Sequence, residues 1–159
     1  MDQNKNLRIE ENFELAVQKY QKNDIKEAQN LYNKILEIDP NHSQALNNIA
    51  VIFTKLKDYQ KAKDCFEKAI KINPNYADAH YNLGNIFKSL RESQKAKNCY
   101  EKAIEINPNY SSAHYNLGVI YQGLGENQKA KECFEKAIKL KPDHPSAHKN
   151  LGILLKQKR

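Results

Sequence analysis

Three histidines, three cysteines and four asparagines recur at one spacing along this chain, and their chemistry has to be weighed first. His80, His114 and His148 stand thirty-four residues apart, as do Cys65, Cys99 and Cys133, and Asn48, Asn82, Asn116 and Asn150. Imidazoles and thiolates bind metals and act as nucleophiles or bases. An amide side chain is donor and acceptor at once. Metal or disulfide chemistry requires convergence: zinc holds its ligands at about 2.0–2.3 Å, and a disulfide needs Cα atoms within about 7 Å. Residues recurring once per thirty-four fall on separate helices, whose axes pack about 8–10 Å apart. The sequence has no CxxC, no HExxH, no glycine-rich phosphate loop and no nucleophile elbow. The thiols therefore read as small, semi-buried apolar groups and the imidazoles as packed, hydrogen-bonded ones. No metal, no cofactor and no catalytic residue is expected, so the chain is not read as an enzyme.

The spacing itself names the elements that carry these residues. Pro40, Pro74, Pro108 and Pro142 are thirty-four apart, and so are Ala28, Ala62, Ala96 and Ala130, and Leu56, Leu90 and Leu124. Such self-similarity marks an array of supersecondary units. Four units follow, at 9–42, 43–76, 77–110 and 111–144, with an N-terminal tail at 1–8 and a half unit, a capping helix, at 145–159. Within 77–110, His80, Leu83, Gly84 and Phe87 recur at i, i+3, i+4 and i+7, the apolar stripe of a first helix. A turn at Leu90-Arg91-Glu92-Ser93 becomes Leu124-Gly125-Glu126-Asn127 in the next unit, where glycine supplies a left-handed cap. Ala96, Tyr100, Ala103 and Ile104 form the stripe of a second helix, and Asn107-Pro108 stops it.

The pattern Leu83-Gly84, Phe87, Ala96, Tyr100, Ala103, Pro108, repeated as Leu117-Gly118, Tyr121, Ala130, Phe134, Ala137, Pro142, resembles the tetratricopeptide repeat (TPR) signature. The resemblance covers residues 9–159. It departs from the family at His80, His114 and His148, where a tryptophan is usual, and in the first unit, with Ala16 for glycine and Ile35 for alanine. It implies an all-α fold, an alpha-alpha superhelix of stacked antiparallel helix pairs whose first helices line a concave groove.

At 100° per residue, positions 78, 82, 85 and 89 lie opposite the Leu83-Gly84-Phe87 stripe, so Asn82 points away from its own helix pair. With Asn48, Asn116 and Asn150 it forms a ladder, one amide per unit. Val51, Asn85, Val119 and Ile153 sit beside it, and Tyr81, Tyr115 and Lys149 flank it. Asparagine costs helix propensity, yet a row of amides can hold the backbone of an extended peptide, with valine and tyrosine adding apolar contact. The ladder resembles the TPR region of O-linked N-acetylglucosamine transferases, and LYNKILEIDPNHSQAL (31–46) resembles the opening repeats of their bacterial relatives. The carboxylate clamp of chaperone-adaptor TPR domains would fall on Tyr81, Asn85, Asn116, Ser146 and Asn150. The basic residues it requires are missing there.

The net charge of +7 raises the question of nucleic acid, but its distribution turns the reading elsewhere. Residues 9–42 carry four lysines and seven acids, residues 145–159 three lysines, one arginine and no acid. Arginine, the residue suited to phosphate forks, occurs only at positions 8, 91 and 159. Lys63–Glu67, Lys97–Glu101 and Lys131–Glu135 are spaced to pair along one helix. The opening residues carry no signal-type apolar region and no apolar run spans a bilayer, so a cytoplasmic protein is expected. The expected function is a protein–protein interaction scaffold holding a protein or peptide partner, an extended peptide or a partner helix, in the groove. The alternatives are a substrate-recruiting fragment of a glycosyltransferase-type protein and a basic array on RNA or anionic surfaces. The half unit at 145–159, with Leu151, Ile153 and Leu154, reads either as a cap or as a place for self-association.

Overall fold

The computed structural model describes residues 2–157, and within them every regular element is a helix. Nine helices follow one another among these residues: α1 (Asp2–Gln21), α2 (Ile25–Ile38), α3 (Ser43–Lys55), α4 (Tyr59–Ile72), α5 (Ala77–Ser89), α6 (Ser93–Ile106), α7 (Ser111–Gly123), α8 (Asn127–Leu140) and α9 (Pro145–Gln157). Residues 2–8, set apart by the repeat period as a tail, continue α1 at its N-terminal end. The run DQNKNLR holds neither glycine nor proline, so nothing in it stops a helix. Lys158 and Arg159, the last residues of the basic end, lie outside the described residues.

Two compact units divide the chain, Met1–Ile86 and Phe87–Arg159, with the division inside α5. In the first, α1 pairs with α2 and α3 with α4. Ala16, Ala28, Leu31, Tyr32, Ile35, Ala45, Ile49 and Ile52 make one core, and Leu46, Ala69 and Ala79 a second beneath Tyr76. Each large apolar side chain buried this way contributes about 1.5–3 kcal/mol. In the second unit α7 pairs with α8. The small residue at Gly118 lets the helices close until the fully buried Phe134 ring covers it. Ser111 Oγ donates to the Ala137 carbonyl at 3.0 Å, tying the start of α7 to the end of α8.

The joints repeat as strictly as the cores. At the turn inside each pair, Asn23, Lys57, Arg91 and Gly125 adopt left-handed backbone, with φ of 62°, 62°, 61° and 76°. The next residue's N–H (Asp24, Asp58, Glu92, Glu126) bonds at 2.9 Å to the carbonyl five positions back. This is the Schellman closure of a helix C-terminus. The same residue then opens the following helix. Asp24 Oδ1 accepts from the Glu27 N–H at 3.3 Å and Asp58 Oδ1 from the Lys61 N–H at 3.2 Å. Glu92 and Glu126, one methylene longer, make no such bond and pair instead with Lys95 and Lys129. Between pairs, Asp39, Asn73 and Asn107 accept the N–H two residues on at 3.0, 3.2 and 3.1 Å. These Asx turns bridge each proline stop.

Candidate functional site

The three repeat histidines are loop anchors. His80, His114 and His148 each donate Nε2–H to the carbonyl of the proline six residues earlier, at 3.0, 2.9 and 2.8 Å. They stand at the edge of the core, His80 and His114 half-buried and His148 exposed. Burial, together with the nearby Lys136 charge, lowers the His114 pKa despite its carbonyl partner. The cysteines are half-buried thiols outside any disulfide. Desolvation, helped by Glu132 and Glu101, pushes the Cys133 thiol up to about 11, away from the thiolate chemistry of a nucleophile. Among the described residues, no cluster of His, Cys, Asp and Glu could hold a metal ion.

The asparagine ladder is built into the protein more deeply than a helical wheel implies. In the first unit, Asn82 Nδ2 donates to Asn47 Oδ1 at 3.4 Å. Asn47 Nδ2 donates to Asn48 Oδ1 at 3.1 Å, and Asn48 Nδ2 to the Tyr32 hydroxyl at 3.1 Å. Asn48 and Asn82 are half-buried and Asn47 is 6% exposed. In the second unit Asn116 is likewise 6% exposed, and Lys88 Nζ donates to its Oδ1 at 3.0 Å. Partial burial lowers the Lys88 pKa. The amides therefore turn toward the preceding helices as well as outward. A wheel drawn for one helix pair omits the pair stacked before it.

Around the ladder the structure brings some of the expected residues together and sends others elsewhere. Asn48 and Val51 share an apolar cleft of about 310 Å³ with Val17, Tyr20, Gln21 and Tyr32. Tyr81 and Asn85 lie half-buried on α5, and Val119 half-buried on α7. The Tyr115 ring packs against Phe134 and His144, with centroids 5.8 and 4.7 Å away. Its aromatic area serves the core and the entrance to α9. On α9, Lys149 is exposed and Asn150 half-buried. Ile153 is 39% exposed, whereas Leu154 is 3% exposed and belongs to the core. Val17, Tyr20, Tyr32, Asn47 and Lys88 escaped the sequence reading. The Asn-Asn doublet at 47–48, where later units have tyrosine or lysine before the ladder residue, was the available signal.

The opposite helices are charge-paired. Lys63–Glu67, Lys97–Glu101 and Lys131–Glu135 lie at 3.9, 3.9 and 3.6 Å, as their spacing implies. Tyr121 donates to Glu101 Oε1 at 2.8 Å while Lys97 and Lys129 lie over its ring, 5.5 and 5.3 Å from the centroid. Burial and the neighbouring carboxylate hold this phenol well above its ordinary pKa. Among the described residues no helix is long and apolar enough to cross a membrane.

Comparison with known proteins agrees with this architecture. Two tetratricopeptide repeat sequence models match, one over residues 43–76, 77–110 and 111–144 and the other over 11–42. A crystal structure of MamA is 30% identical, with a TM-score of 0.80 over 90% of this chain and 84% of MamA. Pseudomonas aeruginosa PilF is 24% identical, with a TM-score of 0.89 over 98% of this chain and 71% of PilF. A mutant Thermobaculum terrenum O-GlcNAc transferase is 21% identical, with a TM-score of 0.79 over 85% of this chain and 26% of that enzyme. At those identities the last two carry the fold alone. No curated protein matches the sequence.

Proposed function

Because the chain belongs to the tetratricopeptide repeat family, we propose that it is a non-catalytic, cytoplasmic interaction scaffold whose first helices hold an extended peptide along their asparagine faces. The observation that carries this reading is the amide chain Asn82–Asn47–Asn48–Tyr32. Each amide side chain offers two donor hydrogens and two acceptor lone pairs. Asn48 spends one hydrogen on Tyr32 and one lone pair on Asn47. What remains is fixed in place, so a peptide backbone can bond to it without ordering the side chain first. The adjoining apolar cleft adds contact area. The basic-array alternative is weakened by local pairing, since lysines 61, 63, 95, 97, 129 and 131 all lie against carboxylates of their own helix or its cap.

Peptides selected from a random 12-residue library against the intact chain test the reading by fluorescence anisotropy. The variant Asn48→Ala/Asn82→Ala/Asn116→Ala/Asn150→Ala, checked for equal helicity and stability, should bind them at least tenfold more weakly. Each lost backbone bond is worth about 1 kcal/mol, about fivefold. Unchanged affinity would remove the ladder as the reader of the backbone. Steep loss of binding to single-stranded RNA with added salt, in place of peptide binding, would favour the basic array.

A further inference from the structure

The cleft between α1, α2 and α3 has features that the ladder alone does not use. We propose that it is an anchor site for one large apolar side chain, aromatic or branched aliphatic, of a peptide that carries an acidic residue next to it. This inference rests on the peptide-binding reading and adds a specificity to it.

Size and walls come first. A cavity of about 150 Å³ lined by aliphatic and aromatic groups binds benzene. This cleft has about 310 Å³ and is walled by Val17, Tyr20 and Val51. That is room for a phenyl or indole group with its methylene. Each buried apolar carbon of the anchor adds to affinity in proportion to the area it removes from water.

Polarity fixes how the anchor enters. Tyr32 lines the cleft and is 2% exposed. Its oxygen accepts from Asn48 at 3.1 Å, which leaves the phenolic proton to be given away. No acceptor among the described residues takes it. Burial raises the Tyr32 pKa, so the hydroxyl stays a donor at any physiological pH. A backbone carbonyl of an inserted peptide can accept that proton.

Charge selects the neighbour. Lys55 Nζ lies over the Tyr20 ring, 5.5 Å from its centroid, and donates to Asn23 Oδ1 at 2.6 Å. Both partners are neutral, and among the described residues no carboxylate pairs with it. An ammonium stacked on Tyr20, itself one wall of the cleft, and held by neutral groups is complementary to an Asp or Glu side chain on the incoming peptide.

Blocked dipeptides make the test direct. N-acetyl-Glu-Phe-amide titrated into methyl-labelled protein should shift the Val17 and Val51 resonances and leave Val119 unmoved. N-acetyl-Glu-Ala-amide should shift none of them. N-acetyl-Lys-Phe-amide should bind at least threefold more weakly than the Glu-Phe probe. Val51→Trp, which fills the cleft, should abolish the Val17 shift. Lys55→Gln, a surface change, should erase the preference for Glu-Phe over Lys-Phe while keeping the Val17 shift. Equal shifts from the Glu-Ala probe, or a preference unaffected by Lys55→Gln, would overturn the anchor. If the Glu-Phe probe leaves the cleft untouched while selected 12-residue peptides still depend on the asparagines, the anchor fails and the peptide-binding reading stands. If those peptides ignore the asparagines, the reading itself fails.

Discussion

Replacing Gly118 by alanine puts a number on how tightly the helix pairs close. A Cβ built there meets Phe134 Cε1 at 2.7 Å, Phe134 Cδ1 at 2.8 Å and Cys133 Cβ at 3.1 Å. The Phe134 ring is fully buried, while Cys133 Cβ is fixed to the α8 backbone. Overpacking of this kind costs about 1–3 kcal/mol. Helix propensity runs the other way, since alanine is better than glycine in a helix interior by about 0.5–1 kcal/mol. Gly152 occupies the same place in its half unit, and nothing lies within 4 Å of a Cβ built on it. Gly152→Ala therefore collects the propensity without the clash. The difference between the two variants isolates the packing term, about 1–3 kcal/mol, at about 2–4 °C of melting temperature per kcal/mol for a chain of this size. Thermal and urea melts followed by far-ultraviolet circular dichroism measure it. Repeat arrays unfold in steps, so hydrogen exchange of the α7 and α8 amides locates the loss. If the two variants agree within about 0.5 kcal/mol, or if Gly118→Ala is the more stable, the close approach of α7 and α8 is wrong.

Two further outcomes follow from the joints and the histidines. A left-handed residue with a side chain is strained by about 1–2 kcal/mol, against about 0.5–1 kcal/mol of extra entropy that glycine loses on folding. Lys57→Gly and Arg91→Gly should therefore each stabilise the chain by about 0.5–1 kcal/mol in urea melts. Asn23→Gly should do less, because asparagine tolerates this region, and Gly125→Ala should destabilise; a loss with Lys57→Gly would contradict the closure described. The His114 pKa is lowered in the folded chain, chiefly by burial, so the folded state holds fewer protons there than the unfolded one. The stability from neutral His114 is present above the unfolded pKa of about 6.5 and is lost as pH falls through it. Urea midpoints of the parent should drop more between pH 7.5 and 5 than those of His114→Gln, and equal drops would refute the assignment.

Periodicity made the helices legible in advance. Every apolar position used to draw the two stripes of residues 77–110 is buried or half-buried, because spacing and side-chain size reflect the same close-packed pair. Period alone did not reveal depth. Leu56, Leu90 and Leu124 recur as faithfully as any core residue, yet they are 56, 43 and 49% exposed, since they sit on the turn where each first helix ends. The candidate site was harder. Asn82 was placed opposite its own partner helix, which is right for an isolated pair, but its amide reaches Asn47 of the repeat before it. Tyr32 reads as one more aromatic of the second-helix stripe beside Phe66, Tyr100 and Phe134. Only the stack shows that its hydroxyl meets Asn48. Contacts between repeats are not written in any single repeat, so a reading unit by unit cannot see them.

The joints also bear on how such a chain could change its length. Residues 73–76 and 107–110 are the same four, Asn-Pro-Asn-Tyr, and each Asx turn and proline stop is completed within a few residues of its own position. Excising residues 77–110 would join Tyr76 directly to Ser111, recreating letter for letter the junction already present at Tyr110-Ser111. A genetic exchange in register with the period would thus create no new local geometry. Such an array can gain or lose repeats in single steps, varying the number of asparagine rungs while every surviving turn keeps the partners it had.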